Sequence, residues 1–290
     1  MQAQLTQKQE VAQPAAGLDL DAYLQRIGYT GDRQPTLATL QLLQRLHAET
    51  IAFESFNPLL RIPVLLDIDS LQQKMVYGGR GGYCFEHNLL LSHVLKTLGY
   101  RVRGLAARVL WNVPEGTVKA ISHKLLQVEA EGESFLVDVG FGGLTPTGPL
   151  QLVLNAVQTT PHEDFRLIES GGEWVLQAHV QHAWRPLYRF TLREHLQPDY
   201  EMFSWYLCTH PASFFLTSLS VARPFPGGRF GLRNTVLTTH WLGRESEQCE
   251  LTSVADIRRV LRENFRLTLP DHPDLDATLQ GLIDAAAESR

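Results

Sequence analysis

The sequence predicts an α+β protein in three consecutive parts, and three observations carry that reading. Apolar residues at helical spacing fill residues 18–99. After Arg101 the period shortens to β-rich runs divided by glycine turns. The part from Pro211 onward mixes Pro and Gly loops, a strand and a capped helix.

In the first part, Asp19, Leu20 and Asp21 cap a short helix through Tyr23, Leu24 and Ile27 that stops at Gly28. Pro35 opens a second helix, with Leu37, Leu40, Leu43 and either Leu46 or His47 on one face. A third runs from Phe85 to Leu98 with Leu91, Val94 and Leu95 as apolar positions, and Gly99 supplies its left-handed stop. Beyond Arg101, residues such as Val102, Val109, Leu126, Val128, Phe135, Val137 and Val139 lie in short runs separated by turns at Glu131-Gly132 and Gly171-Gly172. This pattern reads as a small antiparallel barrel. Farther on, Thr235 to Thr239 is strand-like, and Ser253 caps a helix carrying Val254, Ile257, Leu261 and Phe265. The expected divisions are a flexible extension at 1–17, a helical part at 18–99, a β part at 100–205 and a mixed part at 206–290.

Composition narrows the function. At 290 residues, 44% hydrophobic and 20% charged, the chain has enough apolar surface for a sizeable core. A net charge of −5 without a basic block argues against nucleic acid. The segment 1–17 lacks the apolar stretch of a signal peptide and no later run has the length of a membrane span, so a cytoplasmic protein with no membrane partner is expected. Cys84, Cys208 and Cys249 are too few and too scattered for a disulfide framework or a paired-cysteine metal site. What remains is a free thiol.

The segment Arg80-Gly81-Gly82-Tyr83-Cys84-Phe85-Glu86-His87-Asn88 puts that thiol directly after a glycine turn, at the first turn of a helix. Unpaired N–H groups and the helix dipole favour negative charge there, and hence the thiolate that attacks carbonyls. Gly81 and Gly82 are expected to let backbone approach a ligand. Cys208 and Cys249 lack such a setting and read as inert. A nucleophilic cysteine needs a base, and the base needs a group to orient it. His123 opens the run His123 to Val128, which the Glu131-Gly132 turn joins to Phe135 through Gly140. A two-residue loop sets Leu125 opposite Asp138 and turns His123 to the same face; a three-residue loop sends the carboxylate to the other face. An acid among Leu136, Val137, Val139 and Phe141 is costly to bury unpaired. On the Cys84 helix, His87 tends toward solvent or a neighbouring element, His93 is remote, and Glu86 and Asn88 read as local capping groups.

Together these residues closely resemble the arylamine N-acetyltransferase family: the Arg80 to Glu86 motif, then His123 with Leu125 and Val128, then Leu136-Val137-Asp138-Val139-Gly140-Phe141-Gly142. The likeness extends from Tyr23-Leu24-Gln25-Arg26-Ile27-Gly28-Tyr29, through Ile51-Ala52-Phe53-Glu54, to Trp205-Tyr206-Leu207-Cys208-Thr209-His210-Pro211 and the closing helix. It implies a helical bundle bearing Cys84, a β-barrel bearing His123 and Asp138, an α/β lid, and a papain-like Cys-His-Asp catalytic core. It further implies a ping-pong cycle in which Cys84 takes an acetyl group from acetyl-coenzyme A and passes it to an arylamine, hydroxylamine or hydrazine. His123 moves protons, Asp138 orients it, and the Cys84 N–H faces the oxyanion. By the same resemblance Tyr206 and Ser122 contact coenzyme A, Phe141 and Gly142 line the acceptor pocket, and Arg80 with Glu54 forms a structural pair. Acetyl-coenzyme A is then a substrate with no tightly bound cofactor beside it, and the protein is a monomer or weak homodimer. Ala52, Ser55, Phe56 and Ala212 depart from the usual family residues and bear on pocket shape. The same three groups also suit a cysteine hydrolase or transamidase, and a related amide synthase of natural-product biosynthesis. A binding module with a degenerate triad is a weaker reading, since all three groups are present.

Overall fold

A computed structural model describes residues 17–114 and 116–288. The expected extension therefore lies, except for Gly17, outside the described residues.

The helical part follows the capping chemistry closely. Helix α1 (Leu20–Arg26) is capped by Asp19, whose side chain accepts from the Ala22 N–H. Helix α2 (Leu37–Thr50) starts one step later than expected, because Thr36 supplies the capping oxygen and Pro35 precedes the cap. A short strand, β1 (Phe53–Glu54), the one-turn helices α3 (Phe56–Leu59) and α4 (Ile68–Leu71), and a π-helical turn at Gln72–Tyr77 lead to helix α5 (Cys84–Thr97). Every residue from Cys84 to Ser92 is buried, so α5 forms the central rod between the bundle and the barrel.

The barrel uses β2 (Arg101–Val109), β3 (His123–Ala130), β4 (Glu133–Val137), β5 (Leu150–Gln151), β6 (Val157–Thr159), β7 (Asp164–Ser170), β8 (Glu173–Val180) and β9 (Ala183–Phe190). Their order is β5-β4-β3-β2-β9-β8-β7-β6, all antiparallel. The two edges meet through a side chain: the Gln158 amide accepts from the Gln151 N–H at 2.7 Å and donates to its carbonyl at 2.9 Å, standing in for a ladder step. Leu105, Leu125, Leu136, Phe165, Leu176 and Tyr188 fill the interior, while Leu126, Val128 and Val137 face α5. Strand β3 is thus buried on both faces, and its first residues lie beside the start of α5.

Helix α6 (Gln197–Thr209) runs through position 205 and leads to the last part. There β10 (Ser220–Phe225), β11 (Gly228–Arg233), β12 (Val236–Trp241) and β13 (Glu247–Glu250) form a sheet to which β1 adds an edge strand. Helices α7 (Val254–Glu263) and α8 (Leu275–Glu288) are associated with it. Ser253 caps α7 as expected, and Ile257, Leu261 and Phe265 pack with Leu275 and Leu279 in one core.

Candidate active site

The turn before Cys84 is built against protein backbone. The Glu54 N–H donates to the Gly82 carbonyl at 2.7 Å, and Phe53 and Gly82 form an isolated parallel bridge. A Cβ on Gly81 would collide with the Ala52 carbonyl, and one on Gly82 would lie 2.9 Å from Glu86 Cβ. These glycines admit neighbouring chain rather than a ligand, which corrects the sequence expectation. Tyr83 is the N-cap of α5, and its N–H donates to Glu86 at 3.0 Å, so Glu86 serves the local capping role expected of it. Cys84 is then the first helical residue. Gly140 crosses directly over it, and a Cβ at 140 would lie 2.7 Å from Cys84 Cα.

The β3–β4 hairpin closes through the two-residue loop. Ala130 pairs with Glu133, and Glu131 and Gly132 both have positive φ, the signature of a tight primed turn. Leu126 faces Val137, so the register continues to Leu125 opposite Asp138, and His123 and Asp138 share the barrel-side face. There His123 Nε2 donates to Asp138 Oδ2 at 2.7 Å. The other ring nitrogen, Nδ1, is left free of Asp138, and Cys84 is among the groups that raise the ring's affinity for a proton. The thiol also reaches the Ser122 carbonyl at 3.6 Å.

The second carboxylate oxygen is held as firmly. Asp138 Oδ1 accepts from Asn88 Nδ2 at 3.0 Å and from the Gly140 N–H at 2.9 Å. Asn88 also donates to the Lys124 carbonyl at 2.7 Å and accepts from the Val139 N–H at 3.1 Å. It is therefore no capping residue: it ties the nucleophile helix to both strands of the hairpin. One signal was available, since position 88 is one helical turn after 84.

Cys84, His123 and Asp138 are 4%, 2% and 0% exposed. Burial alone would strip the proton from His123, but the adjacent Asp138 charge, its hydrogen bond and Cys84 outweigh it and raise the ring to about 10. Burial likewise opposes the Asp138 charge, and His123, Asn88 and Gly140 overcome it, lowering the carboxyl from its ordinary value. Phe141 meets the His123 ring edge-on at 5.4 Å, and Tyr188 packs on it at 5.0 Å with its phenol under the influence of Asp138. Tyr188 comes from β9 and carried no signal in the sequence.

The other expected site residues occupy separate places. Arg80 donates to Glu54 at 2.9 and 2.6 Å, and Lys74 bonds to Glu86 at 2.7 Å and lies 3.7 Å from Glu54. This buried set contains two carboxylates and two cations. Gly142, with φ of +90°, packs on Phe53 and donates to Thr145. Tyr206 is exposed on α6 and stacks on His210 at 4.4 Å. Cys208 lies within 3.6 Å of the Tyr83 hydroxyl, and burial raises its thiol above the ordinary value.

His87 meets a neighbouring element and not solvent. Its Nε2 lies 3.2 Å from the Ala52 carbonyl, which can only accept, so Nε2 carries the proton. His87 Nδ1 then accepts from His47 Nε2 at 2.8 Å, and His47 Nδ1 accepts from the Tyr23 hydroxyl at 2.8 Å. Both rings are fully buried, and burial lowers both, His87 to about 4. The native state thus refuses protons that the unfolded chain accepts below about pH 6.5, so stability falls as pH drops through that window. At pH 5, His87 is expected to account for about 2 kcal/mol of loss relative to pH 7, with His47 adding in the same direction. Urea titrations of wild type and His87→Gln at both pH values test this; equal pH dependence in the two proteins would refute it.

The same arrangement fits what comparison with known proteins finds. Residues 36–273 match the N-acetyltransferase family model. An arylamine N-acetyltransferase of Mycobacterium tuberculosis is 45% identical over 258 residues, spanning 88% of this chain and 91% of that protein. The chain belongs to the arylamine N-acetyltransferase family. A family member from Escherichia coli is 40% identical over 253 residues, covering 87% of this chain and 90% of that one. The solved structure of arylamine N-acetyltransferase from M. tuberculosis superimposes with a TM-score of 0.87 at 43% identity, covering 90% of this chain and all (100%) of that one. The Mycobacterium marinum arylamine N-acetyltransferase in complex with CoA gives 0.87 at 40% identity, with 92% and 99% covered. Among the described residues no helix is long and apolar enough to cross a membrane, and no group of three or more His, Cys, Asp or Glu side chains is disposed to hold a metal ion.

Proposed function

We propose that this arylamine N-acetyltransferase family member moves an acetyl group from acetyl-coenzyme A, through a thioester on Cys84, to an arylamine, arylhydroxylamine or hydrazine. The observation that carries the reading is the 2.7 Å bond from His123 Nε2 to Asp138, which leaves Nδ1 for the thiol. In the first half, the Cys84 thiolate attacks the thioester carbonyl, the carbon–sulfur bond to coenzyme A breaks, and the departing sulfur takes a proton from His123. In the second half, the acceptor nitrogen attacks the Cys84 thioester, His123 receives the nitrogen's proton, and the Cys84 sulfur leaves. The Cys84 N–H, one of the unpaired donors at the start of α5, faces the oxygen that becomes negative in both halves.

The complex of the M. marinum relative with CoA supports a coenzyme A thioester as donor. In this reading Tyr206 and Ser122 contact coenzyme A, Phe141 and Gly142 bound the acceptor, Arg80 and Glu54 brace the catalytic turn, and residues 206–290 act as the lid. The protein works in the cytoplasm as a monomer or weak homodimer. Intact-mass measurement after mixing with acetyl-coenzyme A tests the chemistry. One acetyl group on Cys84, discharged by an arylamine or hydrazine, is expected; hydrolysis of peptides or esters without a stable adduct would point to a hydrolase instead.

A further inference from the structure

Between β4 and β5 the chain runs irregularly from Asp138 to Pro149, and this stretch carries Gly140 over Cys84 and Phe141 against His123. Carbonyl groups in such a stretch have no ladder partners, so a buried one needs a donor from elsewhere. Gln44, fully buried on α2, supplies it. Its Nε2 donates to the Pro146 carbonyl at 2.9 Å and to the Gly148 carbonyl at 3.1 Å, with the Asp138 carbonyl at 3.4 Å. A single side-chain amide thus gathers both ends of the stretch.

These partners fix which way the amide points, because turned over it would set its oxygen against three carbonyl oxygens. As it stands, Oε1 is buried without a hydrogen-bond partner among the described residues, a cost that a methionine of similar length would not carry. What Gln44 offers in return is its nitrogen. The middle of the stretch closes on itself: the Gly142 N–H donates to Thr145 Oγ1 at 2.8 Å, and the Thr145 N–H donates to the Gly142 carbonyl at 3.2 Å. Phe141 therefore takes its place from how the two ends of the stretch are held. Asn88 holds the start, through the Val139 N–H and the Asp138 carboxylate. Gln44 holds the finish, with the Thr147 hydroxyl bonded to His162 Nδ1 at 2.9 Å beside it.

We propose that Gln44 is a positioning residue for the second half of the transfer: by clasping the Pro146 and Gly148 carbonyls it sets the wall, Phe141 and Gly142, against which the aromatic acceptor lies. The inference rests on the reading that those two residues bound the acceptor. The acetyl carbonyl meets Cys84 in both halves, but only the second half brings an aromatic ring against the wall. A displaced wall then costs the acceptor and spares the donor. The triad stays in place without Gln44, because Asp138 keeps its bonds to His123, Asn88 and the Gly140 N–H.

In a ping-pong cycle, kcat/KM for the donor reports only the acetylation of Cys84, and kcat/KM for the acceptor reports only its discharge. Gln44→Met is expected to lower kcat/KM for 4-methoxyaniline by roughly tenfold, within the loss of up to about 10²-fold that a misplacement of about 1 Å brings. The value for acetyl-coenzyme A stays at that of wild type. A purely structural loss reduces the folded fraction and takes both constants down together. Equal losses in the two halves, or none for the acceptor, would overturn the proposal. Gln44→Asn keeps the amide but is one methylene too short to clasp the carbonyls, and gives the same comparison if the methionine variant does not fold. Phe141→Leu separates this from the reading of the pocket. If that variant keeps the wild-type kcat/KM for 4-methoxyaniline, the acceptor wall is misassigned and the proposal falls with it. If Phe141→Leu lowers the constant and Gln44→Met does not, only the role of Gln44 falls.

Discussion

Cys84→Ala is expected to lower acetyl transfer by roughly 10³-fold or more while the protein stays folded. The two halves of that expectation have different physical sources. Activity disappears because alanine offers no atom on which the acyl group can rest, and the ping-pong route has no other way across. The two remaining cysteines do not substitute for it. Cys208 sits against the Tyr83 hydroxyl with its thiol disfavoured as an anion by burial, and Cys249 is exposed on β13. Stability changes little because the lost contact is a 3.6 Å approach of sulfur to the Ser122 carbonyl. Removing one buried sulfur costs about 1 kcal/mol. Circular dichroism melting beside a hydrazine-acetylation assay reads both halves. Turnover by a folded Cys84→Ala protein would end the assignment of the nucleophile.

Sequence periodicity read the local structure better than it read the connections. Caps at Asp19 and Ser253, the stop at Gly99 and the two-residue turn at Glu131-Gly132 are each determined by neighbours within a few residues, and each is where the pattern put it. That turn settled the choice left open between two registers and put His123 and Asp138 on one face. Strand β1 was missed because two residues carry no period, and its partner in β10 lies far along the chain. Only the second half of helix α5 meets solvent. The first half is surrounded by bundle and barrel together, which a single-helix pattern cannot express. Asn88 reads as a capping group in the sequence for that reason, and of the two settings open to His87 the structure takes the neighbouring element: a polar side chain on a fully enclosed helix has partners from other elements, at Asp138 and at His47. Likewise the glycines before Cys84 face protein because Ala52 and Glu54 return to that turn from the preceding part.

Asp138→Asn tests the orienting group, and its expected effect, about 10²- to 10⁴-fold in kcat, follows from donor counting. Oδ1 of Asp138 accepts from Asn88 and from the Gly140 N–H, two groups that can only donate there. An asparagine must therefore aim its oxygen at them and its amide nitrogen at His123. That nitrogen donates, so His123 Nε2 has to become an acceptor and the ring proton moves to Nδ1. A neutral ring in that form presents N–H to the sulfur and has no lone pair with which to take up the proton of Cys84. The loss of the carboxylate charge acts in the same sense. It removes the influence that raises His123 to about 10 and leaves burial to pull the ring downward, so the imidazolium disappears at lower pH. The stabilisation that the raised His123 gives to the native state, full below about pH 6.5 and fading toward pH 10, should be lost in the variant. Both anchoring bonds at Oδ1 survive, so the hairpin keeps its place on α5 and the defect should lie in kcat with the fold intact. A variant with wild-type kcat and an unshifted pH–rate profile would show that Asp138 does not govern the state of His123.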